Sequence, residues 1–361
     1  MKNLALVIAS FAVTILCWGI YGPVLHWGQH AMSTTGGNAS LRPFICVGLA
    51  YFGIGVAVPA VLLQLYGEKG AWTLQGILFS LAGGALGALG ALGIILAFYF
   101  GGRPFWVMPL VFGGAPVVNS FLTIFLARKT KEIGPLFLAG LIIVLLGAVT
   151  VLFFKPNPAS TAAQPAATAA TPAEASSPAL VERESRALRD FTLQVASIGL
   201  VILCWGCYGP VLHIGQAGMG HSRFRPLICV GMAYFLIAVV VGYMWLAATG
   251  EASQFNFSGT FWSLMGGAAG AIGALGIIMA FNFGGKPVYV MPLVFGGAPV
   301  VNTFFTITAS GLWGQVNALF VAGLLLVIAG AAMVLVFAPK GSPPPKPEPA
   351  PIPTEYPGDS S

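Results

Sequence analysis

The sequence predicts an all-α integral membrane protein of ten transmembrane helices, arranged as two inverted five-helix repeats. Three observations carry this reading. Of 361 residues, 57% are hydrophobic and only 7% are charged, against about 25% charged in a soluble domain. A surface so poor in charge belongs in lipid. Residues 101–119, G-G-R-P-F-W-V-M-P-L-V-F-G-G-A-P-V-V-N, return at 284–302 as G-G-K-P-V-Y-V-M-P-L-V-F-G-G-A-P-V-V-N, and between the wider windows 83–119 and 266–302, 30 of 37 positions are identical. Each half reads as five apolar spans, and a unit with an odd number of spans, repeated once, carries its second copy upside down.

In chain order the predicted spans fall near residues 4–26, 43–65, 73–100, 104–127 and 134–154, then 191–213, 226–248, 259–283, 287–309 and 316–338. At 1.5 Å per residue, about 20 residues cross the roughly 30 Å of hydrocarbon. Backbone groups in lipid must satisfy one another, so the spans are helices; the ten-residue alternation of an outer-membrane barrel is absent. The apolar run after Met1 and Lys2 has the look of a signal peptide, but it continues past Cys17 through C-W-G-I-Y-G-P-V-L-H, a motif that recurs as C-W-G-C-Y-G-P-V-L-H at 204–213. It reads as a helix.

The domain plan follows. Residues 1–155 form the first repeat and 191–338 the second. Between them, 156–190 begin as an Ala/Pro/Thr/Ser-rich linker and end in a short charged helix, V-E-R-E-S-R-A-L-R-D, at 181–190. Residues 339–361 are a Pro-rich disordered tail.

Charge sets the orientation. With the N-terminus inside, ten Lys and Arg residues lie on the cytoplasmic side against Arg42, Arg103 and Lys155 outside, leaving the linker aside. Two of the outer three have repeat partners on the inner face, Arg42 with Arg225 and Arg103 with Lys286. The positive-inside rule then predicts cytoplasmic N- and C-termini in a cell (inner) membrane. The net charge of +6 reads as this bias, with no basic arm for nucleic acid.

Chemistry is sparse. All ten carboxylates fall in loops, linker or tail, so no intramembrane carboxylate relay is available, and no paired acids or Ser/His/Asp set suggests an enzyme. The five cysteines lie in apolar runs, as small buried residues do; the CxxC of Cys204 and Cys207 has Ile20 in place of the second Cys in the first copy. No metal, cofactor or enzymatic activity is expected.

What remains polar within the spans is duplicated. Trp18, Tyr21, Pro23, His26 and Gln29 match Trp205, Tyr208, Pro210, His213 and Gln216. At about 100° per residue, Trp18, His26 and Gln29 share one broad face, and Pro23 should bend the helix. Either the aromatics stack on a ligand ring while His and Gln hydrogen-bond to it, or Trp and Tyr anchor the interface and His caps a helix end. His26 and His213 are the candidates for proton coupling. Arg42 and Arg225, each before a Pro, either hold a gate or snorkel to the interface. Asn119 and Asn302 either bridge helices or face substrate, and Tyr99 aligns with Asn282. The glycines at 83, 84, 87, 90 and 93, and at 266, 267, 270, 273 and 276, mark close helix packing.

With its C-W-G element opening each half, the chain resembles the drug/metabolite transporter superfamily (EamA-like, and its sugar-porter branch) over about residues 4–338. The resemblance implies a central cavity and places Trp18, Tyr21, Tyr99, Asn119, Trp205, Tyr208, Asn282 and Asn302 near substrate. The departure to I-Y-G-P or C-Y-G-P after C-W-G leaves the substrate uninherited. The expected function is alternating-access transport of a small polar metabolite, such as a sugar, in the lipid bilayer, by a monomer or homodimer. Gating or coupling falls to His26, Gln29, Arg42, His213, Gln216 and Arg225. The alternatives are an exporter of amino acids or drug-like compounds, and a non-transporting membrane scaffold.

Overall fold

In the computed structural model, twelve helices account for nearly all of the described residues, which are 2–33, 39–126, 128, 130–156, 178–248, 254–283, 287–337 and 339. They are α1 (Lys2–Ala31), α2 (Leu41–Phe52), α3 (Val58–Tyr66), α4 (Leu74–Tyr99), α5 (Pro104–Leu126) and α6 (Pro135–Phe154), then α7 (Pro178–Gly218), α8 (Phe224–Tyr234), α9 (Gly242–Ala248), α10 (Phe257–Asn282), α11 (Pro287–Ala309) and α12 (Ala318–Phe337). There is no strand among the described residues. Two π-helical segments, Gly53–Ala57 and Phe235–Val241, join α2 to α3 and α8 to α9, making one long rod of each trio.

Eight of these rods are long and apolar enough to cross a membrane, while Leu293–Ala309 and Ala318–Val334 are shorter apolar helices. The protein is therefore a multi-pass, all-helical membrane protein. Its perimeter agrees: Phe153 (81% exposed), Leu145 and Leu325 stand outward with no polar cover, a surface stable only against lipid. The charged helix expected at 181–190 is continuous with the span after it, as α7 runs unbroken through 41 residues. Glu182 pairs there with Arg186 one turn on. The Ala/Pro-rich part of the linker and the Pro-rich tail lie outside the described residues. Helix α1 continues through Pro23, and α5 through Pro109 and Pro116; in a bundle, neighbouring groups can satisfy the carbonyls that proline frees.

Helix α1 packs chiefly on α10, α4 on α7, and α6 on α12. The glycine stripes explain the first two contacts. A methyl at Gly90 would overlap the Trp205 indole, and one at Gly273 the Trp18 indole, so backbone and ring meet where no side chain intervenes. The helix starts are tied in matching ways. Thr73 accepts from the Gly76 N–H (3.0 Å) and donates to the Gly218 carbonyl (2.7 Å). Asn256 accepts from the Gly259 N–H (2.7 Å) and donates to the Ala31 carbonyl (2.5 Å). Each side chain thus caps one helix while closing the end of another.

Candidate functional site: an aromatic centre between two unequal ends

The middle of the bundle is built from rings. Trp18, on α1, stacks on Phe112 of α5 (6.3 Å, 21°) and meets Phe295 of α11 at 6.4 Å. Trp205, on α7, lies 6.4 Å from the same Phe112 and 6.2 Å from Tyr21. Both indole N–H groups are committed: Trp18 donates to the Gly270 carbonyl (3.1 Å) and Trp205 to the Gly87 carbonyl (3.2 Å). A glycine at each of these positions leaves its carbonyl reachable by an indole. Tyr21 is buried with its hydroxyl unpartnered, and Tyr208 is half-buried against the same core. Alongside, Tyr51 and Tyr234 stack face to face. These rings bring the predicted Trp18, Tyr21, Trp205 and Tyr208 together.

Three other predicted substrate residues are outside this ring cluster, although Asn302 and Asn119 lie against Gly22 and Gly209 beside it. Tyr99 is 49% exposed at the end of α4, turned onto Phe100, while Ala97 and Phe98 in the same turn are fully buried. Asn302 is fully buried and donates to the Pro104 carbonyl (2.7 Å), which ties α11 to the start of α5. Asn119, at the matching place in the first half, is half-buried and makes no hydrogen bond among the described residues. The side chain of Asn282 lies outside the described residues.

The predicted gating set divides. Gln29 is wholly buried and donates to the Ala39 and Ile95 carbonyls (2.8 and 3.0 Å). Arg42 donates to the Gln254 and Met32 carbonyls (2.5 and 2.8 Å). Arg225 faces the Ser222 hydroxyl (3.2 Å) and Glu68 (3.8 Å). These three hold loops to helix ends. His26 is buried, edge-on to Phe98 (5.2 Å), and its Nε2 lies 3.3 Å from Nη1 of Arg103. His213 is exposed and Gln216 half-buried.

Sequence reasoning missed Glu68. Between α3 and α4, its carboxylate accepts from the Ser222 hydroxyl (2.5 Å), the Arg223 backbone and Nε (2.8 and 2.9 Å) and the Phe224 N–H (3.2 Å), closing over the N-terminus of α8. Partial burial works against its ionisation. The hydrogen bonds from Ser222, Arg223 and Phe224 outweigh that, and the carboxyl sits below its usual range. A carboxylate in a loop gives no sequence signal of this kind, although Ser222 just before the apolar run of α8 marks a helix start.

Fold and site together define a multi-pass helical membrane protein with an aromatic centre. No protein-family model matches the chain, and no curated protein matches it significantly. A solved structure described only as "Crystal structure of protein" is 16% identical, with a TM-score of 0.53, covering 92% of this chain and 97% of its own. That similarity is one of fold alone.

Proposed function

We infer that the chain is a transporter of a cell (inner) membrane, with cytoplasmic termini, that moves a small polar metabolite by alternating access. The architecture in this reading is ten transmembrane helices in two inverted five-helix repeats, as in the drug/metabolite transporter superfamily. The observation that carries it is an inequality between like positions. Asn302 is sealed in and bonded while Asn119 is half-buried and has no hydrogen bond among the described residues; His26 is buried against Arg103 while His213 is exposed. Two ends built from the same residues, one shut and one loose, are what a protein that opens its ends in turn requires. Partners such as Phe112–Phe295 and Tyr51–Tyr234, each pair 183 residues apart, touch each other. Self-contact of this kind arises on a two-fold axis.

The same aromatic centre favours a second reading, export of amino acids or drug-like compounds. Flux through purified protein in liposomes, across a panel of sugars, amino acids and aromatic cations, decides between them. Saturable flux of a sugar supports the first reading and of an aromatic solute the second. Absence of flux for every solute, with protein shown to be inserted and folded, overturns transport and points to a scaffold. A variant ending at residue 340 is expected to transport as the full chain does.

A further inference from the structure

A cavity of about 190 Å³ lies beside the shut end, between α1, the start of α5 and the end of α11. Its wall includes His26, Trp27, Arg103, Phe105, Thr306 and Ser310. We propose that it binds a small monocarboxylate. Arg103 brings one full positive charge, and it has no carboxylate partner among the described residues. A guanidinium is always a donor, so the His26 nitrogen facing it, Nε2, is an acceptor, and the neutral ring then carries its hydrogen on Nδ1. That Nδ1 is buried with no partner, as is the Thr306 hydroxyl. His26 is 8% exposed and Thr306 6%. A native protein leaves few such donors unpaired. The two unmet donors, both closed to water in this state, and the one cation belong to residues of a single cavity wall, and together they match the two oxygens and single charge of a carboxylate.

Size and shape narrow the class. Drug-sized ligands fill roughly 300–1,000 Å³, so this cavity takes an acid of a few heavy atoms, with the Trp27 and Phe105 rings against its apolar end. The cavity also opens onto the first residues of α5, Pro104 and Phe105, where the helix dipole adds partial positive charge. A phosphate dianion would leave one charge unmatched, and a neutral polyol would leave Arg103 unmatched. The inference does not rest on the transport reading, since the site needs no flux.

The test uses the full chain in lipid nanodiscs, with 3,3,3-trifluoropropionate as probe and fluorine NMR line broadening as readout. Broadening is expected to be reversed by propionate and not by propionamide, its neutral isostere. Arg103→Gln is expected to weaken binding at least tenfold. Thr306→Val, which keeps the side-chain shape, is expected to weaken it several-fold, and thermal unfolding in the same nanodiscs checks that both variants fold. Equal competition by propionamide, stronger competition by inorganic phosphate, or undiminished binding to folded Arg103→Gln and Thr306→Val would each overturn the proposal. Binding without flux in liposomes leaves this site standing and counts against transport; flux without binding does the reverse.

Discussion

The rings of Tyr51 and Tyr234 lie 3.8 Å apart, centroid to centroid, with their planes 1° from parallel, although 183 residues separate them in the chain. Phe52 and Phe235 meet beside them at 4.7 Å. The stack joins α2 to α8 at a place where each contributes the same residue. Tyr51→Leu and Tyr234→Leu should each destabilise the protein, and the double variant should fall short of their sum by about 1 kcal/mol, the coupling of a buried aromatic pair. Denaturant unfolding of the four proteins in one detergent measures this. Strict additivity would mean that the rings do not support each other.

Asn302 holds the shut end through one hydrogen bond to Pro104. Asn302→Val removes it, at a cost of about 1 kcal/mol, enough to shift a two-state balance roughly fivefold. With the native cysteines replaced and Thr306→Cys as reporter, Asn302→Val should speed maleimide labelling several-fold. Asn119→Val should not, because Asn119 is unbonded among the described residues. An unchanged labelling rate for Asn302→Val would show that the bond has no part in closing that end.

Gly90 and Gly273 admit the two indoles. Alanine at either should cost roughly 1–3 kcal/mol by overpacking. Trp205→Leu should relieve Gly90→Ala and leave Gly273→Ala as it is, because the Trp205 ring lies over Gly90 and the Trp18 ring over Gly273. Thermal unfolding of the five variants, three single and two double, is the check; cross-relief in the wrong pair would contradict the packing described.

Glu68 makes stability depend on acid. Its carboxyl is held below the usual range by Ser222, Arg223 and Phe224. The contribution is present above the pKa of an unfolded glutamate and is lost as pH falls through the lower folded value. Glu68→Gln should therefore lower stability by about 1.5–3 kcal/mol at neutral pH, the range for hydrogen bonds to charged groups, and the gap to wild type should narrow as pH falls below the unfolded glutamate value of about 4.3. A gap that persists unchanged at low pH would show that the charge is not what matters.

Much of the fold was legible in residue types. Apolar length gives most helix bounds to within about two residues, although α1 runs on to Ala31 and α7 spans Pro178–Gly218, and the glycine stripes of α4 and α10 pack as their spacing suggests. The aromatic centre is legible as well, because Trp18 and Tyr21 recur at like positions as Trp205 and Tyr208. The neighbours were not. Gln29 and Arg42 each reach a carbonyl on a different segment, and a single sequence carries no information about which carbonyl will be near. Tyr99 reads as substrate-facing from its alignment with Asn282, and in the structure it lies on the exposed face of an end turn whose Ala97 and Phe98 are buried. Charge and polarity identify groups that need partners; topology decides who the partners are.

The π-helical segments Gly53–Ala57 and Phe235–Val241 bear on the same point. A π-turn houses an extra residue in an otherwise regular helix, which swings everything beyond it by about 100°. A helical wheel drawn through α2 and α3 as one α-helix therefore assigns the lipid face correctly on one side of residue 53 and wrongly on the other. Deleting a single residue there would leave composition and hydropathy almost untouched. The π-turn would close to an ordinary α-turn, and exposed Val61 and Leu65 would keep facing the bilayer.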